Sequence, residues 1–151
     1  MAKSTGKAGI GVTLKLSDGD SPPQFVTVGN VVSLEAGGRT LNTIDATHLA
    51  SPDFYQEFIP GLKSSQAWTG TVQWDASDPT LDDSTGLAQR LEDRELTTLR
   101  IDFTDIGVNV AFEADGFITE LGNLSIAAES IMTQSFGFQP SGRVRIITLT
   151  P

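Results

Sequence analysis

The sequence predicts a mainly β fold: two packed antiparallel sheets, a β-sandwich or a partly closed barrel, flanked by one α-helix. Three observations predict it. Apolar residues alternate with polar ones, period two, in many short segments. Turn residues (Gly, Pro, Asp, Asn, Ser) interrupt those segments at short intervals. Helical spacing occurs in one stretch, between about residues 79 and 94. Such a pattern belongs to layered sheets rather than to a helical or parallel α/β architecture.

Taken in order, Met1 to Gly9 is small, polar and weakly basic, and reads as a mobile arm. Gly11 to Leu16 alternates Val12, Leu14 and Leu16 against Thr13 and Lys15, which is a strand. Ser17 to Pro23 is a turn; Asp18 and Asp20 lack the further oxygen ligands of a calcium loop. Phe25 to Glu35 reads as one strand with Val26, Val28, Asn30, Val32 and Leu34 on one face, and Gly29 marks a bulge or a close backbone approach. Trp68 to Trp74 alternates sharply, with Trp68, Gly70, Val72 and Trp74 facing the core.

Asp78-Pro79 supplies an N-cap and a first-turn proline for a helix from Pro79 to Arg94, with Leu81, Thr85, Ala88 and Leu91 on its face. Gly86 weakens its first turns. Leu96 to Thr104 turns Thr97, Leu99, Ile101 and Phe103 inward. Val108 to Ala114 is a strand ending at Asp115-Gly116, a hairpin signal, and Phe117 to Leu121 returns. Ser125 to Phe138 is a long strand; Pro140-Ser141-Gly142 turns into the closing strand, Arg143 to Leu149.

The stretch from Thr43 to Leu62 fits neither period. Leu49, Phe54, Tyr55, Phe58, Ile59 and Leu62 are scattered among acids and the turn dipeptides Ser51-Pro52 and Pro60-Gly61. Ordering about twenty residues costs roughly 1–2 kcal/mol each. Burying six large apolar side chains returns about 1.5–3 kcal/mol each, which leaves a deficit. The expectation is a long loop, residues 43–63, that orders against a neighbour. The plainer alternative is two short strands and a surface loop.

A chain of 151 residues is one domain with room for a real core. No apolar run is long enough for a membrane helix, and the N-terminus lacks the apolar core of a signal peptide. Zero cysteines remove disulfides and thiolate metal sites and fit a reducing cytosol. The net charge of −9 disfavours tight nucleic-acid binding. That charge is concentrated: residues 75–120 hold 12 acids and 3 bases, the rest of the chain 7 of each.

Chemistry finds little purchase. The single histidine, His48, cannot make a two-histidine metal site, and His48 beside Asp45 fixes no triad geometry. There is no nucleophile elbow and no phosphate loop. Asp82-Asp83 and Glu92-Asp93 read as solvated helix charges rather than acid–base pairs. No catalytic residue, metal ligand or cofactor site is assigned, and the chain is read as not an enzyme.

The sequence resembles the major tail tube proteins of long-tailed bacteriophages with non-contractile tails. The resemblance runs through most of the chain: Gly11-Val12-Thr13-Leu14, Val28-Gly29-Asn30-Val31 before a double-glycine turn, and Ile44-Asp45-Ala46-Thr47-His48 leading to Ser51. Phe58-Ile59-Pro60-Gly61-Leu62, Trp74-Asp75, Asp78-Pro79 with its helix, and Phe138-Gln139-Pro140-Ser141-Gly142 follow in order. Leu81 to Gly86 is looser than the family's helix start. Some relatives add a C-terminal immunoglobulin-like domain, and none is expected here.

The resemblance implies hexameric rings stacked into a hollow tube, with genome DNA in transit through the lumen without specific binding. It implies contacts with tape measure, terminator and baseplate or tip proteins, no membrane, and assembly in the host cytoplasm into a virion tail. The long loop and terminal arm would link subunits. Asp45, His48, Phe54, Tyr55, Phe58 and Ile59 are the expected interface residues. Glu113 and Asp115, on the polar face of a strand, are expected to face the lumen. Two other readings fit: a carbohydrate-binding or adhesion module of a phage tail, and the tube of a related secretion or gene-transfer particle.

Overall fold

A computed structural model describes residues 9–17 and 24–149. The expected N-terminal arm and the Asp18–Asp20 turn lie outside the described residues, apart from Gly9. Ten strands form: β1 (Thr13–Ser17), β2 (Phe25–Thr27), β3 (Asn30–Glu35), β4 (Arg39–Asp45), β5 (Phe58–Ser65), β6 (Trp68–Gln73), β7 (Thr97–Asp102), β8 (Val110–Ala127), β9 (Ser130–Pro140) and β10 (Arg145–Thr148). One α-helix, α1, spans Leu87–Glu92.

Eight strands make one antiparallel sheet in the order β2-β1-β7-β8-β9-β6-β3, with β10 also on β8. Gly116 of β8 pairs with Thr97 on one side and Pro140 on the other. β10 therefore extends the line of β9 after a short break, where the Ser141 amide donates to the Asp115 carbonyl at 2.7 Å. Register shifts along the second half of β8 bend it.

The connection from β2 to β3 fixes the overall shape. These strands sit at opposite ends of the sheet, yet only Val28 and Gly29 separate them. The two edges must meet, so the sheet folds into two layers. No ladder joins β2 to β3, and the barrel stays open. Val28 is fully buried at this corner, its amide bonded to the Leu14 carbonyl at 2.8 Å.

The interior is a single apolar cluster. Leu14, Leu16, Leu99 and Ile101 from one layer meet Trp68, Val72, Phe136 and Phe138 from the other. Trp68 and Phe138 are cross-strand partners with ring centroids 5.5 Å apart. Leu81 and Leu87 bring the segment around α1 onto the same cluster.

Four sequence expectations change. Residues 25–35 form two strands, and the face switches at the corner: Val28 is buried, while Val26 and Val32 are exposed. The helix begins at Leu87 rather than Pro79. Asp78 is spent on an Asx turn to Thr80 (amide 2.9 Å), and Asp82 accepts from the Ser84, Thr85 and Gly86 amides. Such local bonds compete with the helix. Gly86 is extended (φ −102°, ψ −159°), and a Cβ there would meet the Thr80 and Leu81 backbone.

Asp115-Gly116 is no turn; β8 runs straight through it. Glycine is needed because the Gln139 backbone occupies the place of a Cβ. Phe117–Leu121 continues β8, and the hairpin closes at Ala128-Glu129, inside the expected strand 125–138. Finally, Thr43–Asp45 and Phe58–Leu62 lie in strands β4 and β5, so only residues 46–57 form a loop.

Leu99→Ala should lower the unfolding free energy by about 2–5 kcal/mol, the cost of a cavity where the side chain is fully buried. Leu62→Ala, on an exposed strand, should cost less than about 0.5 kcal/mol. Urea denaturation of both variants checks the contrast.

Candidate functional site

β4 and β5 form a two-stranded antiparallel arm inserted between β3 and β6, which are themselves paired. Among the described residues, the arm's hydrogen bonds to the rest of the chain lie at its base. There Ser65 donates to the Gly142 carbonyl at 2.9 Å and Gln139 to the Ser65 carbonyl at 2.9 Å. Every residue of β4 is exposed. Leu41, Ile44, Phe58, Ile59 and Leu62 stand in solvent along the arm, and Leu49, Phe54 and Tyr55 at its tip. An isolated hairpin is marginal in water, and this one leaves its apolar side chains half covered at best.

A polar knot around Glu57 shapes the tip. Asp45 accepts from the Thr47 amide at 2.9 Å, and these bonds with Thr47 hold its carboxyl below the usual carboxylate range. Ser51 accepts from the His48 amide at 3.0 Å and donates to the Glu57 carboxylate at 2.8 Å. His48 Nδ1 accepts from the Ala50 amide at 3.2 Å, which leaves the proton of the neutral ring on Nε2. Nε2 lies 3.2 Å from Glu57 Oε2 and so donates to it. Asp45 and His48 are thus tip-forming residues.

Past the knot, Asp53 and Phe54 adopt positive φ, 53° and 61°. A left-handed phenylalanine is rare and strained. Here it carries a ring that is 98% exposed. The tip accepts strain to hold Phe54 away from its own chain.

Glu113 and Asp115 point outward from β8, side by side, and are neutralised. Arg100 lies 2.9 Å from Glu113, and Arg145 reaches Glu113 at 3.1 Å and Asp115 at 3.2 Å. Arg100 also stacks on Phe25, 3.9 Å from the ring centroid. Hydrogen bonds from Arg145, then Thr98, hold the Asp115 carboxyl below its ordinary range. The outer face of the second layer differs. Ser33, Glu35, Thr69, Thr71, Glu120 and Ser135 line an open trough there of about 410 Å³ with Leu34, Gly70 and Phe136. Neither Glu35 nor Glu120 has an ion-pair partner among the described residues.

Among the described residues no three His, Asp or Glu side chains sit together as metal ligands. No helix there is long and apolar enough to cross a membrane. Sequence reasoning missed Glu57 and Ser51, which organise the tip. Their signal is faint: a serine and an acid six residues apart that meet only when the loop closes.

With this geometry, the fold matches that of tube-building proteins. The chain is similar to the tail of an empty GTA particle, solved with C6 symmetry, at 18% identity and TM-score 0.70, covering 95% of this chain and 100% of that one. It is similar to the PVC sheath/tube terminator of an extracellular contractile injection system at 15% identity and TM-score 0.70, covering 97% and 100%. For the SPP1 tail tube the values are 10% and 0.64, covering 93% and 78%. No curated protein sequence matches the chain. The family model of the lambda phage tail tube protein matches residues 11–146, and the chain belongs to that family. It is a structural component of a tail tube.

Asp115 gives a pH signature. Its lowered pKa means that its ion pair stabilises the fold above the usual carboxylate range, and that this is lost as pH falls through the folded value. Asp115→Asn should therefore flatten the acid limb of the stability curve and leave Arg145 half paired, through Glu113. Thermal melts from pH 7 down to about pH 3 test this.

Proposed function

We propose that the chain self-assembles into six-membered rings that stack into the hollow tail tube through which genome DNA passes. The observation that carries this reading is the β4–β5 arm, an ordered projection that leaves its apolar side chains half to fully exposed in the single chain. A second copy supplies the missing surface. Phe54, Tyr55, Phe58 and Ile59 are the anchors, and Asp45 and His48 set the tip that presents them. Aromatic anchors dominate interfaces of this kind. The role is structural rather than enzymatic. Terminator, baseplate or tip and tape measure proteins are the further partners, and assembly takes place in the host cytoplasm.

The bore is better served by the trough on the second layer than by Glu113 and Asp115. Carboxylates clamped by arginines present no net charge to a passing phosphate chain. Glu35 and Glu120 do, among small hydroxyl side chains that offer no cationic hold. Exposed charge acts only within about 8–10 Å at physiological salt, so it must lie on the wall itself. Glu35→Lys with Glu120→Lys should give tubes that retain added double-stranded DNA at low salt. Tubes of that variant that shed DNA as the wild type does would remove this face from the bore.

The self-assembly reading is tested with Phe58→Ala. Phe58 is half exposed, 54%, in the single chain. Its truncation should cost the monomer under about 1 kcal/mol, as at other surface positions. Rings and tubes seen by electron microscopy should be lost or need far more protein. A variant that is destabilised by about 3–5 kcal/mol yet still builds tubes would make Phe58 an ordinary core residue.

A further inference from the structure

Cations without partners gather at one place in the molecule. Among the described residues, Lys15, Arg90, Arg100 and Arg145 are ion-paired, and Arg39, Lys63, Arg94 and Arg143 are not. Three of those four line one crevice of about 610 Å³ at the base of the arm. Their convergence is built in. Arg39 pairs with Ser65 across the ladder and Leu41 with Lys63, so Arg39 and Lys63 share one face. The Ser65–Gly142 hydrogen bond brings Arg143 beside them. No acid lines this crevice.

A second crevice, of about 520 Å³, has the opposite character. Asp75, Asp82, Asp83 and Glu92 line it, beside Trp74 and Leu91, and no base does. None of these carboxylates is ion-paired among the described residues. The two crevices lie at opposite ends of the same strands. Ser65 lies three residues before the start of β6 at Trp68 and Gly142 two residues after the end of β9 at Pro140, whereas Trp74 directly follows the last residue of β6 and Gln134 pairs with Val72 near that end. The length of β6, roughly 20 Å, separates them.

We propose that the cationic crevice at Arg39, Lys63 and Arg143 receives the acidic crevice at Asp83 and Glu92 of a second copy of this chain. The pairing rests on the self-assembly reading above and gives it a direction. Two different patches meeting between identical chains form a head-to-tail contact, which repeats into rings or filaments. Opposite charges at the two ends of β6 favour copies that follow one another in the same sense and oppose antiparallel stacking, where like ends meet. A nucleic-acid backbone is the other polyanion that such a crevice could hold. The matching acidic end on the same molecule favours the protein partner.

The test uses the full-length chain and two charge-reversed variants, Lys63→Glu with Arg143→Glu and Asp83→Lys with Glu92→Lys. All four side chains are exposed and make no hydrogen bond among those described, so unchanged thermal melts should confirm intact folds. Each variant alone should need at least about tenfold more protein to assemble, as read by sedimentation and electron microscopy. An equimolar mixture should assemble at lower concentration than either variant alone, because the unaltered cationic crevice of one variant then meets the unaltered acidic crevice of the other. Wild-type assembly should weaken from about 50 mM to about 500 mM NaCl. Variants that polymerise normally while the wild type also does would overturn the pairing and leave self-assembly standing. A basic-crevice variant that assembles normally but loses affinity for double-stranded DNA would give the crevice to phosphates instead. A wild-type chain that stays monomeric at every concentration would overturn self-assembly, and the pairing with it.

Discussion

The corner at Val28 and Gly29 is the constraint on which the rest of the fold depends. Two residues join strands from opposite ends of a sheet, so that sheet has no freedom to lie flat. Folding it over brings Leu14 and Leu99 of one layer onto Trp68 and Phe138 of the other. Thr80 stabilises the corner from outside, accepting the Gly29 amide at 3.2 Å. That contact explains why residues 78–86 are a chain of turns rather than helix: they must reach the corner before α1 can start.

Everything between β3 and β6 is then free of the core. These two strands are hydrogen-bonded neighbours, and a two-residue turn could have linked them. Instead the chain makes an excursion through β4 and β5. Its cost in backbone order is met within one chain by its own ladder, the Glu57 knot and the hydrogen bonds at its base. The strained Phe54 adds to that cost. Strain and exposed apolar area at one tip are hard to explain by the stability of a lone chain, and both are explained if another copy covers the tip.

Legibility in the sequence followed burial. β1, β6 and β7 each bury one face, and their alternation is plain: Leu14 and Leu16, Trp68 and Val72, Thr97, Leu99 and Ile101 are all inside. The arm buries neither face against the core, so no period survives, and Thr43 to Leu62 read as irregular although much of it is strand. β8 misled for another reason. Asp115-Gly116 carries a turn signature, but the glycine serves a close approach of Gln139 and the aspartate serves Arg145. Identical residues satisfy either demand, and only pairing partners distant in sequence, on β7, β9 and β10, distinguish them. The same limit hid the charge pattern. The acids at 113 and 115 could be read from alternation, but not the arginines at 100 and 145 that cancel them.

The distribution of charge and of apolar surface gives the two kinds of contact different tasks. Apolar area on the arm is non-directional, and it favours any surface that excludes water from Phe54 and Phe58. A tube needs more than adhesion, since a sticky arm alone would equally join copies in either sense. Uncompensated cations at one end of β6 and uncompensated carboxylates at the other add that missing sign. Meanwhile the charges on the outer face of β7, β8 and β10 are internally cancelled, Arg100 and Arg145 against Glu113 and Asp115. That face therefore contributes little to long-range orientation. A net charge of −9 is in this sense a misleading summary of the molecule. On the pairing proposed above, what orients two copies is the charge their own chain has left unpaired at the two ends of β6.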